Sequence, residues 1–123
     1  MRTIKFSNCP IEKHKGEPWV KIVDRKINQT FTTFRAYDWK KDLYYRGLLR
    51  QVLMIENNNQ MVGKALLAHT HPVFRPQVTI DEIQRDTFPD FTQKDFDDIL
   101  YRFYKDNGIV LLKLYLDWVD VRK

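Results

Sequence analysis

Residues 92–121 constrain the fold more than any other stretch, because two different periodicities meet there. Thr92 has Asp95 three residues on, the spacing of a capping box, and Phe96, Ile99, Leu100, Phe103 and Tyr104 then follow at i, i+3, i+4, i+7 and i+8. This pattern predicts a helix over about residues 93–106 with one apolar face. Gly108 is expected to stop it in the left-handed region, with Lys105 near the negative end of the helix dipole. From residue 109 to 121 the period drops to two. Leu112, Leu114, Leu116 and Trp118 share one face of an extended chain, and Lys113, Tyr115, Asp117 and Val119 share the other. An amphipathic helix leading into a long strand must bury a stripe and a face in a common core, so the expected class is α+β.

Most of the remaining segments read as strands and loops. Residues 2–6 alternate as a first strand, and residues 7–18 carry two prolines, a glycine and no apolar period, as a loop does. Residues 19–23 are a short helix or a strand. Residues 29–37 are rich in Thr and Phe and predict a strand with Phe31, Thr33 and Arg35 on one face and Thr32, Phe34 and Ala36 on the other. The apolar runs 51–55 and 61–69 form a hairpin around the polar residues 57–60, which are expected to bury nothing. Residues 72–76 read as a connection, after which Thr79 and Glu82 repeat the capping-box spacing and start a brief helix near Ile80. With 123 residues and 43% apolar side chains, the whole of 1–123 is expected to fold as one domain. One cysteine, Cys9, allows no intramolecular disulfide and no thiolate zinc site, which fits a reducing cytoplasm; it reads as a small side chain near a strand end. No apolar run approaches the ~20 residues of a membrane span, so no membrane partner is expected.

Several chemistries find little support. The four glycines stand singly, so no phosphate-cradling loop exists. Ser7 is the only serine and no base is fixed beside Cys9, which argues against a nucleophilic triad. His69 and His71 fall on one side of a strand but lack an evident third ligand, and His14 is distant in sequence; no metal or other cofactor is expected. Asp95 is a helix-start charge, while Asp97, Asp98 and Asp106 read as a solvated face. The net charge of +5 decides nothing by itself, but it is unevenly spread: residues 1–60 hold 12 basic and 6 acidic residues, and residues 61–123 hold 9 and 10. Lys21, Arg25, Lys26, Arg35, Lys40, Lys41, Arg46 and Arg50 interleave with Trp19, Phe31, Phe34, Tyr37, Trp39, Tyr44 and Tyr45. Cations for phosphates and aromatic faces for bases are what grips single-stranded nucleic acid, although aromatics turned into a core produce the same pattern. Arg35 beside threonine hydroxyls offers a fork of donors for a phosphate, carboxylate or base edge, unless it pairs at the surface with Asp38 or Asp42.

The order of segments resembles the ASCH domain family. The first strand, residues 19–26, Thr30-Phe31-Thr32-Thr33-Phe34-Arg35, residues 51–55 and Val62-Gly63-Lys64-Ala65 resemble its opening. Asp86-Thr87-Phe88, Phe91-Thr92, the helix ending Arg102-Phe103-Tyr104 and the closing strand resemble its second half, so the likeness spans nearly the whole chain. It implies a small mixed β-barrel of the PUA type flanked by two or three helices, with a cleft for RNA or modified nucleosides. The family's signature is a Gly, a Lys two later and an Arg five after that Lys, with Glu or Thr two before the Arg. Arg35 and Thr33 match its last two positions, while Asn28 and Thr30 stand at those of the Gly and the Lys. Lys26 is the nearby substitute. Some small members are amidohydrolases that remove an acyl group from the exocyclic nitrogen of cytidine with that Lys, the Thr and an acidic residue before the main helix; Asp86 and Asp90 bracket the acidic position here.

Three functions are therefore expected to compete. In the first, RNA or a nucleotide-like ligand binds through Arg35, Thr33 and Thr30, with Trp39, Tyr44 and Tyr45 stacking bases and Lys40, Lys41 and Arg46 meeting phosphates. The second is deacylation of a modified cytidine, with Lys26 and Thr33 catalytic. The third is a regulatory role in which the aromatic cluster docks another protein.

Overall fold

The computed structural model describes residues 1–122. Five strands, β1 (Thr3–Phe6), β2 (Thr30–Ala36), β3 (Val52–Asn57), β4 (Gln60–Phe74) and β5 (Val110–Val121), form one sheet in the order β1-β3-β4-β5-β2. Only β1 and β3 run parallel. Four α-helices flank it: α1 (Val20–Val23), α2 (Trp39–Arg46), α3 (Ile80–Asp86) and α4 (Gln93–Tyr104). Register shifts in β3 and at two places in the β4–β5 ladder bend the strands, and the sheet curls into a half-barrel. The curl brings the two edge strands towards each other. Phe6 of β1 meets Phe31 of β2 edge-on at 6.4 Å, and the Arg35 guanidinium of β2 donates to the Lys5 carbonyl of β1 at 3.2 Å.

The strongest sequence signals hold. Leu112, Leu114, Leu116 and Trp118 are all at most 1% exposed and form the centre of the core, onto which α4 lays Phe96, Ile99 and Leu100. Both capping boxes are made: the Thr79 and Thr92 hydroxyls accept from the amides of Glu82 and Asp95. The hairpin turns on Asn58 and Asn59, both at positive φ, a conformation asparagine tolerates in two-residue loops. Residues 19–23 resolve as helix α1, behind Trp19.

Four expectations need correction. The helices number four rather than two or three. Asn57 is buried, its side-chain amide donating to Asn8 at 2.7 Å, so the hairpin's polar end does bury a side chain. Gly108 has φ of −96° and is no left-handed stop; the positive φ that ends α4 belongs to Lys105, after which a short 3-10 turn reaches the last strand. Finally, β4 does not end at His69 but continues through Pro72 to Phe74. Its ladder with β3 ends at Leu66 and Leu67 still bonds Arg50 and Gln51 through its backbone, so beyond Leu67 β4 has a free edge where a missing N–H costs no ladder bond.

Candidate functional site

A cleft of about 330 Å3 opens where the half-barrel fails to close, between β1, the second half of β2, α1, the end of α3 and α4. Its polar lining includes Lys21 from α1, Thr33 and Arg35 from β2, Asp86 from α3 and Lys5 from β1, with Ser7 and Thr87 just past the ends of β1 and α3. Its walls are aromatic, with Phe6 and Trp19 on one side and Phe96, Phe103 and Tyr104 contributed by α4. Phe103, the one outward member of the α4 stripe, is 50% exposed and sits at this rim.

Side-chain cations hold main-chain oxygens of both edge strands. Lys21 donates to the Thr32 carbonyl at 2.8 Å, as Arg35 does to Lys5, and both lie over the Phe6 ring, at 4.9 and 5.1 Å. Each contact is a cation–π interaction in a partly dry site. Asp86, 3% exposed, accepts from the Thr32 hydroxyl through Oδ1. Its Oδ2 is buried with no partner among the described residues, and so is Arg35 Nε. Two residues of the cleft thus each carry an unpartnered buried polar atom, which costs free energy.

Burial sets the protonation of the central pair. It lowers the Lys21 ammonium to about 8, against the pull of Asp86 in the opposite direction, with Arg35 adding to the fall. It raises the Asp86 carboxyl above the usual carboxylate range, although Lys21 and the Thr32 hydroxyl favour the charged form. Asp86 also ends its helix, where the negative end of the dipole disfavours a carboxylate. Titratable groups perturbed by burial and gathered in a cleft mark it as a candidate functional site.

The candidates named from sequence fall into two sets. Thr33 and Arg35 line the cleft, and Arg35 pairs with neither Asp38, which caps α2, nor Asp42, which takes Arg46. Lys26 does not reach it: the residue is exposed in the turn before β2, and Lys21, five residues earlier, supplies the ammonium instead. Thr30 lies further along β2, its hydroxyl on Asp117. Trp39, Lys40, Tyr44 and Arg46 are exposed on α2 outside the cleft, while Tyr45 packs against the core. Lys41 lines a neighbouring groove that shares Phe103 and Tyr104 with the cleft. Of the acidic candidates, Asp86 is inside and Asp90 is exposed, bonded to His14 at 2.7 Å. The rings of His69 and His71 do come together, at 5.1 Å, but no three His, Cys, Asp or Glu gather anywhere among the described residues. Sequence reasoning counted Lys21 among the cations of the first half but gave it no separate role, and it assigned none to Thr32. What sets Lys21 apart is its place inside the apolar run Trp19-Val20-Lys21-Ile22-Val23.

No family model, no curated protein and no solved structure matches this chain. The cleft defines it only as an α+β half-barrel with a lysine–aspartate pair at its open seam.

Proposed function

We propose that the cleft binds a planar, amide-bearing ligand of nucleobase size and that Lys21 and Asp86 hydrolyse an acyl amide on it, an acylated cytidine being the substrate to try first. The observation that carries this reading is that Lys21, Arg35 and Asp86 line one aromatic-walled cleft, with Asp86 Oδ2 and Arg35 Nε buried and unpartnered among the described residues. An amide edge presents the complementary donor and acceptor, and aromatic walls suit a flat ring. In the reaction, water adds to the acyl carbonyl carbon while Asp86 takes one of its protons. Lys21, as ammonium, stabilises the oxyanion that develops. The C–N bond then breaks, and the proton held by Asp86 passes to the departing nitrogen, leaving a carboxylic acid and an amine.

A chromatographic assay with an acylated cytidine tests this. Wild type and Lys26→Ala turn the nucleoside over alike, whereas Asp86→Asn and Lys21→Met lose at least about a hundredfold, the usual worth of general acid–base catalysis. No turnover by the wild type would remove the reading. A second reading, RNA binding without catalysis, is favoured by one feature: the groove that leaves the cleft past Phe103 and Tyr104 leads to Lys41, beside the 62%-exposed Trp39 with Lys40 over its ring at 5.6 Å. Binding to short RNA that weakens with salt, with no hydrolysis of the nucleoside, selects it.

A further inference from the structure

His69 and His71 stand out in the sequence as a pair in want of a third ligand, and the fold supplies one that is neither His, Cys, Asp nor Glu. Leu67 is buried in the core, and plain alternation along β4 would turn His69 inward with it. The register shift between Leu67 and His69 absorbs Ala68, so Thr70 is the next buried residue and His69 and His71 come out on the other face. On that face the ladder sets His69 opposite Tyr115 and His71 opposite Lys113, residues that alternate along β5 with the buried Leu112, Leu114 and Leu116.

Three rings therefore meet on this face of the β4–β5 ladder. The two imidazoles have centroids 5.1 Å apart, and the Tyr115 ring lies 5.5 Å from each. Metal–nitrogen bonds of about 2.0–2.1 Å at a tetrahedral angle put two imidazoles on one metal roughly 5 Å apart, centre to centre. His71 is half-buried and its Nδ1 is buried without a partner among the described residues, whereas His69 is exposed and leaves the cluster open to solvent. Burial, with His69 and Lys113 adding to it, holds the His71 imidazole below its usual value, so at neutral pH the ring is in the uncharged form that ligates. The Lys113 ammonium, 4.7 Å from the Tyr115 ring centroid, would repel a cation by itself, but Glu82 is already paired with it.

We propose that His69, His71 and Tyr115 form a site for one late first-row divalent cation, held by two imidazole nitrogens and the phenolic oxygen, with the exposed side left to water. The site stands apart from the cleft and does not rest on its hydrolytic reading. Cu(II) is the probe, because it binds tightest in that series and shows a visible charge-transfer band when a phenolate ligates it. Titration of the full chain is expected to load one Cu(II) with that band. His69→Ala and His71→Ala should each weaken binding at least about tenfold, since loss of even an outer-shell partner costs that much. Tyr115→Phe keeps the ring and should abolish the band and weaken binding by a similar factor. His69 is exposed, so its variant keeps the test decisive if His71→Ala fails to fold. No binding, or binding that the histidine variants leave unchanged, overturns the site and marks any copper seen as an adventitious ion only. A wild type without the band, or one whose affinity Tyr115→Phe leaves unchanged, overturns it too, since the metal then sits on a bare histidine pair.

Discussion

Lys21 and Asp86 destabilise the fold that holds them, and the sign of each perturbation says so. A lysine driven down to about 8 and a carboxyl driven up are both groups whose charged forms burial disfavours. Lys21→Met removes the positive charge near Asp86 and leaves the buried carboxyl without it, which is expected to destabilise the fold at pH 8. The linkage sign follows from the raised carboxyl. Its folded-state pKa lies above its unfolded one, so stability is fullest with Asp86 protonated and is lost as pH rises through the folded value. The deficit of Lys21→Met in denaturant melts should therefore shrink towards acid pH, and adding Asp86→Asn should recover most of it. A deficit that the second substitution deepens would mean that the pair is a structural ion pair and not a stored functional strain. Neither residue was legible as a pair in the sequence. Thr33 and Arg35 were, because a strand with polar residues at alternate positions announces a wet face, whereas α1 has one turn and gives Lys21 no periodicity to break.

At the scale of elements, legibility followed the number of repeats each signal had. Helix α4 and strand β5 offered three turns and six alternations, and both lie where the pattern put them. Single-residue punctuation did worse: Pro72 sits inside a strand whose other edge is free, and Gly108 yielded the helix stop to Lys105. The loop 7–18 gave no periodic signal, yet it is fixed beside the cleft by His14. That ring stacks on Phe88 at 3.9 Å and bonds both Asp90 and Glu17, next to Trp19 in the same aromatic cluster. Burial opposes a charge on His14, but the two carboxylates outweigh it and raise the imidazole above its usual value. With the folded pKa raised, the clasp contributes fully below about 6.5 and is lost as pH climbs past the folded value. The Tm of the wild type should exceed that of His14→Phe at pH 6, since phenylalanine keeps the stack but not the bonds. The gap should close by pH 9, as read by calorimetry; a gap independent of pH would mean that the stack alone holds the loop.

For the molecule as a whole, the half-barrel explains why the cleft is where it is. The α+β class agrees with the reading of the segments, and the curled sheet is compatible with a small barrel-like fold, which that reading did not by itself select. The basic excess of the first 60 residues is divided by the fold: Lys21 and Arg35 enter the cleft, whereas Lys40, Lys41 and Arg46 stay outside on α2. No helix among the described residues is long and apolar enough to cross a membrane. A seam closed by cations rather than by backbone pairing leaves strand-edge oxygens, an ammonium and a carboxylate around one opening. The most direct test is the pH dependence of kcat/KM on an acylated cytidine for wild type and Lys21→Arg. With Asp86 as base and Lys21 as ammonium, the wild-type rate is expected to rise as Asp86 ionises and to fall above about pH 8 as Lys21 loses its proton, with the alkaline fall abolished in the arginine variant. A wild-type profile flat through pH 8, or an alkaline fall that survives in Lys21→Arg, would contradict that assignment.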